Sequence, residues 1–318
     1  MQARRILSLD GGGIRGLVTC RWLTAVEDAL RKAGKPGLAG SFDLVAGSST
    51  GAIIACGLSL GLSPQRVADL YRERRHEIFP GIAGRLWSRA GRFFSQGPSA
   101  PRYDARGLEK VLKEVFGGTT LARAKVPLLV TSYDTIARAP VMFKSFKPEH
   151  RTLPMWQVCR ASSAAPTYFP AFGMRVEGHG CALIDGGVVA NNPTACAIAE
   201  ALRKDARVDH PRDLVVLSVG SGERTRTIDL KSAREWGALE WAVPIIDVLF
   251  DGNTDSVDYI ARHLVGDGYF RLQAELTVGL DDLDDVSDTN LAALDALANS
   301  YLAKASTRKL LTELVKQL

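Results

Sequence analysis

The chain has 318 residues, 46% of them hydrophobic, which is enough to bury the core of one large α/β domain or two small ones. Its formal net charge of +5 comes from 40 Lys+Arg against 35 Asp+Glu, a balance too mixed to indicate a nucleic-acid polymer as partner but compatible with an anionic membrane surface. The N-terminus leads directly into a predicted strand and no apolar run reaches about 18 residues, so neither a signal peptide nor a membrane-spanning helix is expected.

The first predicted strand, at 4–9, runs into a cluster of glycines, DGGGIRG at 10–16, before a predicted helix at 15–33. Consecutive glycines after a strand expose a row of backbone N–H groups that can hold an anion. In acyl transfer this anion is the oxygen of the tetrahedral intermediate, and one missing donor costs about 10²–10³ in rate. Two alternatives stay open. One is a structural glycine turn, and the other is a dinucleotide-binding loop, which has its glycine spacing here but lacks the acidic residue expected about 20 positions later.

A second glycine motif, GSSTG at 47–51, lies between a predicted strand at 42–46 and a predicted helix at 50–60. A G-x-S-x-G between strand and helix is the context of a nucleophile elbow. Its two glycines allow a tight turn and leave room for a substrate beside the central serine, Ser49. The N-terminus of the new helix favours negative charge at this place, because its free N–H groups point there.

The stretch at 80–103, after a predicted helix at 64–78, is rich in glycine and proline and is predicted to be an insertion over or beside the site. Apolar side chains at helical spacing, with arginines on another face, suit a lid or a membrane-facing segment. An amphipathic helix packed on its own domain is the alternative. The apolar set is Phe79, Ile82, Leu86, Ala90, Phe93 and Phe94, with Trp87 alongside, and the basic set is Arg85, Arg89 and Arg92.

A third motif places Asp185 at the end of a short predicted strand at 181–184, with two glycines directly after it. In open α/β sheets ligands bind at the carboxyl edge of the strands, so we expect Asp185 at the same edge as Ser49. Asn192 then caps a helix that has Pro193 at its first position. An Asp-Gly-Gly alone is usually a turn, and it has a functional interpretation only because the other two motifs are also present.

The alternation of predicted elements is that of an α/β protein. Because motifs at 10, 49 and 185 must converge on one site, we expect a single domain over 1–318. The C-terminal helices, over about 237–318, either close the core or contact a partner chain, so formation of a homo-oligomer remains an alternative. The further predicted strands are 127–132, 140–146 and 214–219, and the further predicted helices are 105–116, 154–163, 193–206, 237–265 and 290–317.

Together these motifs resemble the patatin-like phospholipase family over about residues 4–225. The order of the three motifs is that of the family, and the elbow departs from its commonest form, GTSTG, only at Ser48. Three further segments resemble the family more loosely: ASSAAPTYFP at 161–170, LSVGSG at 217–222 and YFRLQ at 269–273.

The resemblance implies a three-layer α/β/α fold with a mostly parallel central sheet and a Ser–Asp dyad at the C-terminal edge of its strands. It implies hydrolysis of carboxylic esters in membrane-derived lipids through an acyl-serine intermediate, of phospholipase A or lysophospholipase type. Ser49 matches the family's nucleophile and Asp185 its general base. The same residue-by-residue match gives the oxyanion hole as Gly11, Gly12, Gly13 and Arg15, and the elbow as Gly47 and Gly51.

The histidines agree with a dyad. A Ser…Asp…His order needs a histidine after Asp185, and only His210 and His263 qualify. His210 lies in a charged loop and His263 in a helical pattern, so a carboxylate is expected to take the serine proton. No cofactor is expected. The acidic run at 280–285 lacks EF-hand spacing, so we expect a solvated loop and no metal site.

The five cysteines are scattered through apolar surroundings and form no C-x-x-C, which favours reduced thiols and a cytoplasmic protein that meets its lipid substrate at the membrane face. An acyltransferase or thioesterase on the same site remains an alternative, because an acyl-serine can pass its acyl group to another acceptor. A binding or signalling protein with an idle site is a third hypothesis. Some bacterial patatin-like proteins of this size resemble effectors that cyclic nucleotides switch on, which leaves such an activator open, although no residue here indicates it.

Overall fold

A computed structural model describes residues 4–80, 101–204, 208–223, 227–241, 244–276 and 282–318. The predicted insertion at 80–103 falls largely outside these ranges. Its aromatic stripe beyond Phe79 and its three arginines are therefore not among the described residues, and its membrane-facing role stays a prediction.

The core of the molecule is an eight-stranded sheet in the order β5-β6-β3-β2-β1-β7-β8, with β4 paired to the other edge of β3. Within the described residues, β3, β2, β1, β7 and β8 run parallel, whereas β4, β5 and β6 join by antiparallel pairing. The strands are β1 Arg5–Leu9, β2 Leu44–Gly47, β3 Leu128–Asp134, β4 Ala139–Lys144, β5 Phe172–Val176, β6 His179–Asp185, β7 Val215–Val219 and β8 Tyr269–Leu272.

Helices cover both faces of this sheet, because its central strands are apolar on both sides. Alternate residues of β1 show this, since Ile6 packs into one apolar cluster and Leu7 into the other. The helices are α1 Gly16–Lys32, α2 Leu38–Ser41, α3 Thr50–Leu60, α4 Pro64–Ile78, α5 Arg106–Phe116, α6 Met155–Ser162, α7 Gly187–Ala190, α8 Thr194–Lys204, α9 Leu230–Glu235, α10 Ala238–Trp241, α11 Pro244–Val265, α12 Asp288–Ala303 and α13 Ala305–Gln317.

The smaller cluster lies under α8 and the C-terminal half of α11, and the larger one under α1, α3 to α6, α12 and α13. The predicted three-layer α/β/α fold with a mostly parallel sheet is confirmed. The prediction of a single helix at 290–317 is wrong. One helix ends at Ala303 and a new helix starts at Ala305, because Lys304 adopts an extended conformation with φ −64° and ψ 138°. Strands β5 and β8 were not predicted.

Strand β6 reaches the site from an unexpected direction. It is antiparallel to β3, so the rule for parallel strands does not explain why Asp185 lies beside Ser49. Strand β4 pairs with β3 along 129–134 and so occupies one edge of it, which leaves the other edge to both β2 and β6. On that edge β2 ends with Gly47 opposite Val130, and β6 ends with Asp185 opposite Ser132. The two strands therefore run toward each other and their C-terminal ends meet.

Candidate active site

Ser49 occupies a strained turn between β2 and α3. Its backbone has φ 52° and ψ −122°, a conformation that costs a non-glycine residue roughly 1–3 kcal/mol. Steric crowding requires glycine at both flanking positions. A Cβ at Gly47 would lie 2.4 Å from the Gly51 carbonyl oxygen, and a Cβ at Gly51 would lie 2.2 Å from the carbonyl oxygen of Leu9. The elbow geometry predicted from GSSTG is therefore present in the structure.

The Asp185 carboxylate is the hydrogen-bond partner of the Ser49 hydroxyl. Ser49 Oγ donates to Asp185 Oδ2 at 2.7 Å, and the N–H of Gly187 donates to Oδ1 at 2.7 Å, which fixes the plane of the carboxylate. Asp185 is fully buried, and this burial raises its pKa to about 7, although the hydrogen bonds from Gly187 and Ser49 act in the opposite direction. A carboxylate with a pKa near neutrality is a far better base than one in water.

The glycine loop packs directly against the elbow. A Cβ at Gly11 would lie 2.4 Å from Asn191 Oδ1 and 3.1 Å from Ser49 Cβ, so a larger residue there would displace these side chains. Gly13 has φ +58°, and the Thr50 hydroxyl donates to its carbonyl oxygen at 2.9 Å, which ties the loop to the start of α3. Among the four predicted oxyanion-hole residues, Gly11 has its N–H already bonded to the Asn191 carbonyl oxygen at 3.1 Å.

The N–H groups of Gly12 and Gly13 have no hydrogen-bond acceptor within the described ranges, so they are available to a ligand. The N–H of Ser49 itself is bonded to Ser162 Oγ at 2.8 Å. Arg15 is buried, and its Nε donates to the Gly12 carbonyl oxygen at 3.3 Å. This contact orients the Gly12–Gly13 peptide, so Arg15 supports the loop through the backbone.

A buried ion pair holds the start of the loop, and sequence reasoning missed it. Arg271 of β8 donates from Nη2 to Asp10 Oδ2 at 2.6 Å and from Nη1 to Ser218 Oγ at 2.8 Å, and both charged side chains are almost fully buried. A single arginine inside the apolar strand YFRL is the signal that could have found it, because a buried charge requires a partner. Its partner, 261 positions away, could not be read from the chain.

An apolar cavity opens at Ser49. Aromatic and aliphatic side chains from α4, α5 and α11 surround it, and Ser163 is one of its few polar members. Its lining comprises Gly13, Ser49, Thr50, Ile53, Tyr71, Ile78, Phe79, Leu108, Ser163, Ala165, Tyr168, Phe169, Phe250 and Leu283. Such a lining favours an apolar part of a ligand over a polar head group next to the serine hydroxyl.

Neither Ser49 nor Asp185 has a histidine among its hydrogen-bond partners in the part of the chain that the structure describes. The two histidines that follow Asp185 bond elsewhere: the His210 ring caps a turn through the N–H of Arg212, and His263 contacts the Tyr259 carbonyl oxygen. Across the same ranges no three His, Cys, Asp or Glu side chains converge as a metal site would require. No described helix is both long enough and apolar enough to cross a membrane.

An α/β/α fold with a strained serine turn, a buried carboxylate beside the serine and an apolar cavity is the arrangement expected of a hydrolase of lipid esters. The profile of the patatin-like phospholipase family matches residues 7–198 of the chain. Patatin-like protein 2 of Arabidopsis thaliana is 30% identical over 333 residues, which cover 93% of this chain and 81% of that protein. The chain therefore belongs to the patatin-like phospholipase family, as the motifs predicted, and it is an enzyme that hydrolyses lipid esters.

The chain is also similar to the following proteins. Patatin-like protein 2 of Oryza sativa subsp. indica is 29% identical over 344 residues, covering 95% of this chain and 84% of the relative. Among solved structures, VipD from Legionella pneumophila aligns with a TM-score of 0.46 at 14% identity, over 100% of this chain and 67% of that chain.

Proposed function

We propose that the protein is a lipid acyl hydrolase of phospholipase A or lysophospholipase type, in which Ser49 is the nucleophile and Asp185 the general base. The observation that carries this proposal is the 2.7 Å hydrogen bond between Ser49 Oγ and a fully buried Asp185 carboxylate, at the mouth of an apolar cavity. A base within hydrogen-bond reach of the proton that it removes meets the geometric requirement for general-base catalysis.

In this mechanism Asp185 takes the hydroxyl proton as Ser49 Oγ attacks the ester carbonyl carbon. The carbonyl oxygen becomes an oxyanion, for which the N–H groups of Gly12 and Gly13 are the available donors. Collapse of this intermediate breaks the bond to the leaving oxygen, which takes the proton from Asp185 and departs as an alcohol. A water molecule then gives a proton to Asp185 and attacks the acyl-serine. As the fatty acid is released, Asp185 returns this proton to Ser49 Oγ, which restores the starting state.

Mass spectrometry of the products tests this function. Incubation of the pure protein with vesicles of mixed phospholipids is expected to release free fatty acids and the matching lysolipids in equal amounts. Lysolipid accompanied by a new acyl ester, in place of fatty acid, would identify an acyltransferase. Release of phosphorylated head groups would mean that phosphodiester bonds are cleaved, and the proposal would be wrong.

We further propose that the enzyme meets the membrane through the N-terminal part of α11. Phe250 lines the Ser49 cavity, and its neighbours Val248 and Leu249 are 44% and 43% exposed within one helical turn of it. Trp236 and Trp241 precede this helix, half-buried and stacked edge to face with ring centroids 5.2 Å apart. Exposed aliphatic side chains next to a residue that lines this cavity, preceded in the chain by two half-buried tryptophans, suit the interfacial region of a bilayer.

Replacing Val248 and Leu249 together by glutamate is expected to weaken binding to phospholipid vesicles about 30-fold, because each side chain contributes about 1 kcal/mol on insertion. The matched control replaces Ile260 and Leu264, each 44% exposed on the same helix but about 17 Å or more further along it. The first variant should lose vesicle hydrolysis and keep hydrolysis of a soluble ester, and the control should keep both. Equal loss of vesicle binding in the two variants would contradict this assignment.

A further inference from the structure

One buried hydroxyl group in the Ser49 cavity takes no part in the hydrogen bonds of the site. Ser163 lines this cavity directly after the end of α6, and it is only 7% exposed. Its Oγ has no hydrogen-bond partner within the described ranges, although a buried hydroxyl group usually has one. Because leaving such a group unpaired is costly, a partner that arrives with the substrate would be favoured.

The two chain neighbours of Ser163 hold both members of the candidate dyad. Ser162 Oγ accepts a hydrogen bond from the N–H of Ser49 at 2.8 Å. The Ala164 carbonyl oxygen accepts a hydrogen bond from the N–H of Asp185 at 3.0 Å. Ser163 is therefore fixed in position relative to both the nucleophile and the base.

Two oxygen atoms of an ester gain negative charge when Ser49 reacts with it. The first is the carbonyl oxygen, for which the N–H groups of Gly12 and Gly13 are available donors. The second is the leaving oxygen, which must lie beside Asp185 because it takes its proton from this residue. A hydroxyl group held next to Asp185 in the same cavity is suited to the second oxygen.

We infer that the Ser163 hydroxyl donates a hydrogen bond to the leaving oxygen of the ester and is a further catalytic residue of the reaction. This inference rests on the proposed function, in which Asp185 supplies the proton that the leaving alcohol carries away. Ser163 keeps its own proton throughout and stabilises the charge that develops before the transfer is complete. A hydrogen bond to an oxygen that is acquiring charge is stronger than one to a neutral oxygen.

The test varies the leaving alcohol and keeps the acyl group. kcat/KM is measured for butyrate esters of p-nitrophenol, phenol, trifluoroethanol and ethanol, because this ratio covers the steps up to release of the alcohol. Ser163→Ala should stay within about twofold of the unchanged protein on p-nitrophenyl butyrate, since nitrophenolate leaves without help. It should lose roughly 10- to 100-fold on ethyl butyrate, the usual effect of removing a hydrogen bond to a charged acceptor. A plot of log kcat/KM against the pKa of the leaving alcohol therefore becomes steeper.

Two matched variants separate this contact from a general loss of polarity. Ser48 also has a buried hydroxyl without a partner in the described part of the chain, but it is not among the residues that line the cavity. Tyr71 carries another such hydroxyl and does line the cavity, from α4. Neither Ser48→Ala nor Tyr71→Phe should make the plot steeper.

An equal loss with every ester would show that Ser163 supports the fold or the oxyanion, and an unchanged plot would show that it does not contact the leaving oxygen. Either result overturns the inference, as does a steeper plot for Tyr71→Phe alone. If Ser163→Ala fails to fold, Ser163→Cys keeps a side chain of similar size with only a weak donor and must steepen the plot. Failure of the proposed function is distinct, because the unchanged protein would then hydrolyse none of these esters.

Discussion

Replacing Ser49 by alanine is expected to abolish hydrolysis of both vesicle lipids and soluble esters, lowering kcat by about 10⁶-fold, the order of magnitude for loss of a catalytic nucleophile. The substitution removes only Oγ and keeps the Cβ that packs against Gly11, so the fold should remain intact. Rates with a soluble ester, together with a thermal unfolding curve, separate these two effects.

A fluorophosphonate probe supplies the matched control for this prediction. The probe should label Ser49 in the unchanged protein and label nothing at the site in Ser49→Ala. Ser163 also lines the cavity and Ser48 is the neighbour in the elbow, and alanine at either position should leave labelling intact. Covalent labelling of Ser48 or Ser163 would show that the assignment of the nucleophile is wrong.

Replacing Asp185 by asparagine is expected to lower kcat by about 10⁴-fold or more, because the amide keeps the shape of the carboxylate but cannot accept a proton. In the unchanged protein Asp185 must be ionised to act, so kcat/KM should rise with pH through about 7, the pKa that burial gives it. If the residual kcat/KM of Asp185→Asn no longer rises with pH, the rise in the unchanged protein is due to ionisation of this carboxyl group. The controls are His210→Ala and His263→Ala, which should keep near-normal rates, and a collapse in either would indicate a triad.

The same pKa makes a prediction about stability. Because burial raises the pKa of Asp185 from 3.8 to about 7, the folded protein binds this proton more tightly than the unfolded chain does. The contribution of Asp185 to the free energy of unfolding is therefore fully present below pH 4 and is lost as the pH rises to about 7, a loss of about 4 kcal/mol. Asp185→Asn lacks this titration. Denaturant unfolding at pH 5 and pH 8 should show a smaller difference between the two pH values for the variant.

The parts of the site that the sequence predicted are those that depend on local turn chemistry. The motif GSSTG predicted the turn at Ser49, the motif DGGGIRG predicted the glycine loop, and the motif DGG predicted the end of β6. Glycine is informative at these places because it is needed where backbones approach closely or φ is positive. The further supports of the site come from elements distant in the chain. Ser162 binds the N–H of Ser49 and Arg271 binds Asp10, and neither pairing has a local signature.

The direction of β6 was beyond prediction for a related reason. A short apolar run ending in Asp-Gly-Gly has the same pattern whether its strand runs parallel or antiparallel to β3. The structure shows that it is antiparallel and pairs with β5 through a tight turn in which Glu177 and Gly178 both have positive φ. The expected position of Asp185 was therefore right, although the rule that led to it does not apply to this strand.

Strands β2 and β6 meet end to end on β3, so Ser49 and Asp185 are carried by separate strands. Catalysis can therefore report local unfolding of one of these strands. Asp185 lies on the β5–β6 hairpin at one end of the sheet, and this hairpin is joined to β3 through three residue pairs. Further hydrogen bonds between them run from the N–H of Ala182 to Asp134, from the N–H of Thr135 to the Ala182 carbonyl oxygen and from the Ser132 hydroxyl to the Ile184 carbonyl oxygen. Opening of the hairpin alone would withdraw Asp185 from Ser49 while the parallel strands stay paired. Activity in mild denaturant should therefore measure the free energy of this sub-global opening, well below the concentration at which the whole sheet melts.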